Sequence, residues 1–165
     1  MNRRSCSRIW WTRCTADSSR LLQKAAKDPE VAAVIVMINS PGGGITATDL
    51  MHKATIDFKK KTRKPVVACL TDIAASGGYY LAAAADKIIA HETTLTGSIG
   101  VIIPLYDFTD LMSKLGVKQN FVTSGSLKSM GSPFTKLSDE QKKLFQDMVL
   151  RVIQFKEEEF IMLDL

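Results

Sequence analysis

The sequence predicts an α/β fold, a mainly parallel sheet with flanking helices, on three observations. Continuous apolar runs at 31–38 and 65–70 are rich in Val, Ile and Ala, the composition of strands covered on both faces. Segments of helical spacing alternate with them, as in right-handed strand–helix–strand crossovers. Gly-rich loops follow the strands, at the carboxyl ends where the working loops of open α/β sheets gather.

Taken in order, residues 1–17 have mixed composition and no clear period, and read as a leader. A helix is expected over 18–27, where Leu21, Leu22 and Ala25 recur at helical spacing before Asp28-Pro29 stops it. The strand at 31–38 runs into Asn39-Ser40-Pro41-Gly42-Gly43-Gly44. The next helix, capped by Thr46 or Thr48 and reaching about Lys61, presents Leu50, Met51, Ala54 and Phe58. The strand at 65–70 leads to Asp72-Ile73-Ala74-Ala75-Ser76-Gly77-Gly78-Tyr79-Tyr80-Leu81, then to the small helix formers 81–85. Short strands are expected at 87–90, 99–103 and 120–123, a turn at 93–97, and a helix over 110–115 ending at Gly116. The last helix opens on the capping box Ser138-Asp139-Glu140-Gln141, with Leu144, Met148, Val152, Phe155 and Phe160 as its apolar stripe. No repeat or linker interrupts the chain, so 18–165 reads as one domain.

Composition narrows the classes of function. With 165 residues, 45% hydrophobic and 24% charged, the chain can bury a core. Its net charge of +5 comes largely from Arg3, Arg4, Arg8, Arg13, Arg20 and the basic run 59–64. No aromatic interleaving or reader motif accompanies that excess, so no nucleic-acid partner is expected. A solvated face, or attraction to an anionic membrane surface, fits it. Cys6, Cys14 and Cys69 have no metal-ligand spacing; Cys69 lies in an apolar strand, and Cys6 and Cys14 can pair in an oxidising compartment. His52 and His91 lack Cys partners, so no metal site is expected. No segment is long enough to span a bilayer, and Ile9-Trp10-Trp11 is too brief for a signal-peptide core.

Ser76 is the candidate for chemistry. It falls where a buried strand gives way to a helix, small neighbours leave its hydroxyl uncrowded, and amides at the helix start can face a developing negative charge. The same pattern also describes a plain helix-capping serine. A nucleophilic hydroxyl needs a base. His91, 15 residues on, is one candidate and equally an ordinary turn residue; His52 lies within a helix as a solvated or partly buried side chain. Lys128 is another, in the small-residue loop Ser124-Gly125-Ser126-Leu127-Lys128-Ser129. To act as a base it must be desolvated or set near positive charge.

Four motifs in order, Asn39-Ser40-Pro41-Gly42-Gly43-Gly44, Ala74-Ala75-Ser76-Gly77-Gly78-Tyr79-Tyr80, Thr96-Gly97-Ser98-Ile99-Gly100-Val101 and Ser124-Gly125-x-x-Lys128, resemble the signal peptide peptidase A family of serine peptidases over residues 18–155. That resemblance implies a Clp/crotonase-like fold and a Ser-Lys dyad. Ser76 then matches the nucleophile, Lys128 the general base, Ser98 the hydroxyl that orients the lysine, and the Gly43 and Gly77 amides the oxyanion hole. Gly44, Ile45, Tyr79 or Tyr80 would border the substrate, with core or interface packing as the competing role for both tyrosines. The family needs no cofactor and degrades remnant signal peptides and other short or unfolded hydrophobic segments. It also implies a bacterial, membrane-associated homo-oligomer whose dyad meets at a subunit boundary. The last helix and the apolar residues near the chain's end, Phe160, Ile161, Met162, Leu163 and Leu165, are candidates for that contact, or else simply cover the sheet. Against the family pattern the chain stops short at both ends: the membrane anchor and the strand expected before residue 18 are not legible. A complete leader would then mean a cytoplasmic protein. Two other classes compete, a crotonase-like acyl-CoA enzyme using the same two amides, though no Glu lies in these loops, and a non-catalytic relative acting in assembly.

Overall fold

The computed structural model describes residues 8–13 and 18–161. Its elements run β1 (Arg8–Arg13), α1 (Ser18–Lys27), β2 (Val31–Ser40), α2 (Ile45–Thr62), β3 (Val66–Ala75), α3 (Gly77–Ala83), β4 (Lys87–Ala90), β5 (Leu95–Gly97), α4 (Thr109–Lys114) and α5 (Asp139–Ile161). Contacts divide the chain into two compact units, one ending at Ile99 and one starting at Gly100.

In the first unit five strands form a wholly parallel sheet of order β1-β2-β3-β4, with β5 also paired to β3. The strand that sequence periodicity did not reveal before residue 18 is β1, which pairs along β2 from Arg8 to Arg13. Register sets the core. Val34, Val36 and Ile38 stand opposite Val66, Ala68 and Leu70, and all six are buried. Leu22 and Ala25 of α1, Phe58 of α2 and Leu81 and Ala82 of α3 pack into the same cluster. The alternate residues Ile35, Met37, Val67 and Cys69 are only half-buried. The continuous apolar runs therefore cover one face of the sheet fully and the other in part.

The buried stripe of α2 is Thr48, His52, Thr55 and Phe58, whereas Leu50 is exposed. Helical phase explains the exchange for the expected Leu50: threonine tolerates burial here because its hydroxyl finds the carbonyl one turn back. Thr48 donates to Gly44 at 3.0 Å and Thr55 to Met51 at 3.0 Å. Thr48 thus lies within the helix, whose cap residue is Gly44. His52 is buried, its ring stacked on Tyr80 at 4.2 Å between centroids.

The basic run 59–64 is not simply a solvated face. Lys64 donates to the carbonyls of Ala25 and Asp28 at 2.9 and 2.6 Å, closing the C-terminal end of α1. Lys59 reaches the Ala84 carbonyl at 2.9 Å and Asp86 at 2.9 Å. Asp86 in turn accepts from the Val66 amide at 2.7 Å while its own amide donates to the Val66 carbonyl at 2.8 Å. One carboxylate thus ties α2, the start of β3 and the turn after α3.

In the second unit the capping box forms in both directions, Gln141 N donating to Ser138 Oγ and Ser138 N to Gln141 Oε1, each at 3.2 Å. Asp107 Oδ1 accepts from the Thr109 amide and hydroxyl at the start of α4. The inward residues of α5 are Leu144, Phe145, Val149, Val152 and Ile153, and Met148 points to solvent, so the expected stripe is rotated. Phe155 and Phe160 have side chains outside the described set, as do the apolar residues that follow and Cys6 and Cys14. The segments 99–103 and 120–123 do not become strands. A strand needs a neighbour to take its amides, and neither enters a ladder among the described residues. No described helix is long and apolar enough to cross a membrane.

Burial pushes the Asp86 carboxyl up, but the Val66 amide and Lys59 together outweigh it and hold it below the usual range. A lowered folded-state pKa stabilises the fold above the carboxyl's unfolded pKa, and that stabilisation is lost as pH falls through the folded value. Asp86→Asn is therefore expected to lower stability at pH 7 by about 1 kcal/mol, discounted for its partial exposure. Urea titrations should show the gap from wild type closing below about pH 4.

Candidate active site

The site is built at the carboxyl ends of β2 and β3. Halfway along, β3 departs from regular pairing: Leu70 stands opposite Ile38, but Ala74 stands opposite Ser40, so β3 carries two extra residues there. This bulge is held from both sides. Thr71 donates to the Ile38 carbonyl at 3.2 Å and Asn39 to Asp72 at 2.9 Å. Across the other edge, β4 pairs with Val67–Leu70 and β5 with Ile73–Ala75, and the turn between them bridges the bulge through the Thr94 hydroxyl on the Thr71 carbonyl. Bulges of this kind re-aim the residues beyond them. Here they aim Ser76.

Ser76 stands alone between strand and helix, with φ +50° and ψ −119°. A side chain rarely adopts that backbone, which costs about 1–3 kcal/mol and persists only where its surroundings fix it. Its amide donates to the Gly97 carbonyl at 2.8 Å, and its carbonyl accepts from Tyr80 N at 3.0 Å. The loop after β2 closes from above. A Cβ on Gly42 would sit 3.1 Å from Ser76 Cβ and 3.4 Å from both Ser76 Oγ and Gly77 N, and Gly42 itself has φ +126°. Ser40 Oγ fixes this loop, donating to the Gly42 carbonyl at 2.8 Å and accepting from its amide at 3.2 Å. From below, Gly78 lies so close to β2 that a Cβ would meet the Ser40 carbonyl oxygen at 2.8 Å.

The structure gathers several expected residues at this point. Gly77 opens α3, where the first amides of a helix have no intrahelical acceptor. Gly43 follows Gly42, the residue in contact with Ser76. Ser98, exposed and also at positive φ (+52°), follows the Gly97 that holds the Ser76 amide. Gly44 and Ile45 are exposed at the start of α2, and Tyr79 is half-buried against the core. Lys128 belongs to the second unit, exposed on a turn closed by its amide on the Gly125 carbonyl at 3.1 Å. His91 is exposed at the end of β4, its Nδ1 2.9 Å from the Thr93 hydroxyl. Among the described residues no three His, Cys, Asp or Glu side chains gather as a metal site. Gly42, Gly78 and Thr48 are the contributors that sequence reasoning missed; three consecutive glycines and a helical threonine carry no mark of which one meets Ser76.

A serine on a strained strand-to-helix turn, framed by glycine loops, belongs to the class of α/β sites that present a hydroxyl beside main-chain amides. The family model described as peptidase family S49 matches residues 58–155, and the chain belongs to that family. It is 43% identical over 129 residues to a candidate signal peptide peptidase SppA of Enterococcus faecium, covering 78% of this chain and 37% of that protein. It is 37% identical over 128 residues to Protease 4 of Haemophilus influenzae, covering 78% and 20%. To the chloroplastic serine protease SPPA of Arabidopsis thaliana it is 37% identical over 126 residues, covering 76% and 18%. The chain thus spans well under half the length of these relatives. Among solved structures, an enoyl-CoA hydratase from Polaromonas is similar at a TM-score of 0.42 and 18% identity, over 84% of this chain and 66% of that one.

The Gly78 contact predicts a stability loss rather than a subtle one, because the atom in the way is backbone. Gly78→Ala should cost about 2–3 kcal/mol, read as a lowered denaturation midpoint in urea.

Proposed function

We propose that this chain is a serine endopeptidase domain in which Ser76 is the nucleophile and Lys128 its general base. The observation that carries this reading is the Ser76 turn: a hydroxyl held at φ +50° against Gly42 and at the first amide of α3. In the reaction, neutral Lys128 takes the Ser76 proton as Oγ attacks the scissile carbonyl. The Gly43 and Gly77 amides hold the oxyanion, each donor being worth about 3 kcal/mol in comparable hydrolases. The lysinium returns the proton to the leaving amine. Water then attacks the ester, giving its proton to the same lysine, which passes it to Ser76 Oγ as the acyl–oxygen bond breaks. Ser98 orients the amine.

Burial of Lys128 beside Ser76, needed for a neutral amine, is assigned to the assembled form, a homo-oligomer in which the dyad meets at a subunit boundary. The substrates are remnant signal peptides and short hydrophobic polypeptides, bordered by Gly44, Ile45 and Tyr79. The name of the Enterococcus relative supports that class. Peripheral attachment to an anionic membrane fits the exposed Arg20, Lys24, Lys27, Lys60 and Arg63.

Mass spectrometry after reaction with a fluorophosphonate, across size-exclusion fractions, is expected to find one adduct, on Ser76, confined to the oligomer. Ser76→Ala and Lys128→Ala should each reduce cleavage of a hydrophobic peptide by at least about 1,000-fold with unchanged melting. Full activity in either variant removes the dyad.

A further inference from the structure

Thr48 is a buried polar side chain that the proposed chemistry does not use, and it sits at the point where the two amide-bearing segments meet. We propose that Thr48 is a positioning residue of the oxyanion site, a wedge that sets the spacing of the Gly43 and Gly77 amides. This rests on the reading of Ser76 as nucleophile.

The geometry is specific to this side chain. Thr48 is 6% exposed, in the first turn of α2. Its hydroxyl donates to the Gly44 carbonyl at 3.0 Å, and its amide donates to the same oxygen at 3.0 Å. The side chain is thereby locked in one rotamer and tied to the loop that carries Gly43. The same hydroxyl, with the methyl, also lies against α3: a Cβ on Gly77 would lie 2.8 Å from Thr48 Oγ1 and 3.0 Å from Cγ2. On Gly43 a Cβ would lie 3.9 Å from the same Oγ1. One residue therefore stands against Gly77 and, through the Gly44 carbonyl, holds the loop beside Gly43, although the two glycines belong to different segments.

Two amides stabilise one oxygen only if both point at it, and a misplacement of about 1 Å can cost a hundredfold in rate. The hydroxyl touches both the loop and the helix, and the methyl touches the helix alone. Serine keeps the hydroxyl's contacts, valine keeps the packing against the helix without the hydrogen bond, and alanine keeps neither. Because the oxyanion forms only on the way to the intermediate, losing the wedge should lower kcat and leave KM alone.

The test uses the whole chain in its oligomeric form, with kcat and KM on a fluorogenic hydrophobic peptide and a melting curve for each variant. Thr48→Ala is expected to lower kcat about 10- to 100-fold with KM within about twofold, and Thr48→Ser and Thr48→Val to fall between. A contact test independent of turnover accompanies it. Gly77→Ala should lower Tm by about 5 °C or more, and adding Thr48→Ala, which removes both clashing atoms, should recover at least half of that loss. The proposal is overturned if wild type is active and Thr48→Ala keeps its kcat, if the kcat losses merely track Tm, or if the two Tm deficits add. A wild type that neither cleaves peptide nor takes the fluorophosphonate overturns the nucleophile reading, and the positioning role with it. Recovered Tm in that case would still separate a real Thr48–Gly77 contact from a failed assignment of chemistry.

Discussion

The first unit depends on one backbone constraint, the positive φ of Ser76. A residue with a Cβ does not hold φ +50° unless its neighbours leave it no alternative. Three segments supply that pressure. The Gly97 carbonyl takes its amide, Tyr80 takes its carbonyl into α3, and Gly42 lies against its Cβ. Each segment needs a glycine or a turn at the contact. Gly42 and Gly97 are at positive φ themselves, and Gly78 is the only residue type that fits over the Ser40 carbonyl. The glycine loops that look like flexible punctuation in sequence are therefore the stiff part of the site. At Gly78 backbone meets backbone too closely for any side chain, and at Gly42 and Gly97 the backbone takes a positive φ that side chains rarely adopt.

In the proposed reaction that stiffness has a chemical use. A turn whose strain is already met by the fold presents its hydroxyl and the following amides in one arrangement before substrate arrives. Little reorganisation is then left for the reaction. The supports reach well behind the site. Tyr80, one turn beyond Ser76, gives its hydroxyl to Asp49 at 3.1 Å and stacks on His52, so α3 is fixed to α2 by a polar and a flat contact together. The β3 bulge, pinned through Thr71, Asn39 and Thr94, performs the same service from the strand side.

How much of this was legible follows from what sequence periodicity encodes. Alternating apolar runs and helices gave the parallel α/β fold, because strands buried in a sheet must be apolar over their length. The place of Ser76 between strand and helix was legible for a similar reason: an apolar run changes to small helix formers there. Three features were not. The strand at Arg8–Arg13 carries two arginines and two tryptophans, and only pairing with β2 makes it a strand. The buried stripe of α2 is written in Thr48, His52 and Thr55, polar letters: the threonine hydroxyls are satisfied within the helix and the His52 ring stacks on Tyr80. Lys59 and Lys64 read as solvent-facing charges, yet their partners are carbonyls at the ends of other elements, 25 and 39 residues away. For the strand and the lysines the deciding partner is distant in sequence; for the threonines the hydroxyl's partner is local and it is the burial that distant packing decides.

The run of small residues after the site completes the same logic. Ala82, Ala83 and Ala84 are 0–5% exposed and lie in or just beyond a helix of seven residues. So short a helix gains little from its own hydrogen bonds, and its stability must come from packing. Alanine lets it settle directly on β2 and β3, which is why Gly78 comes within touching distance of Ser40. A larger residue at these positions would lift α3 from the sheet, and the lift would be transmitted through Tyr80 to the Ser76 carbonyl and to the Gly77 amide. Residues without functional groups therefore hold the proposed nucleophile. The constraint on them is volume rather than chemistry, and it follows from the single requirement that Ser76 keep a conformation it would not choose.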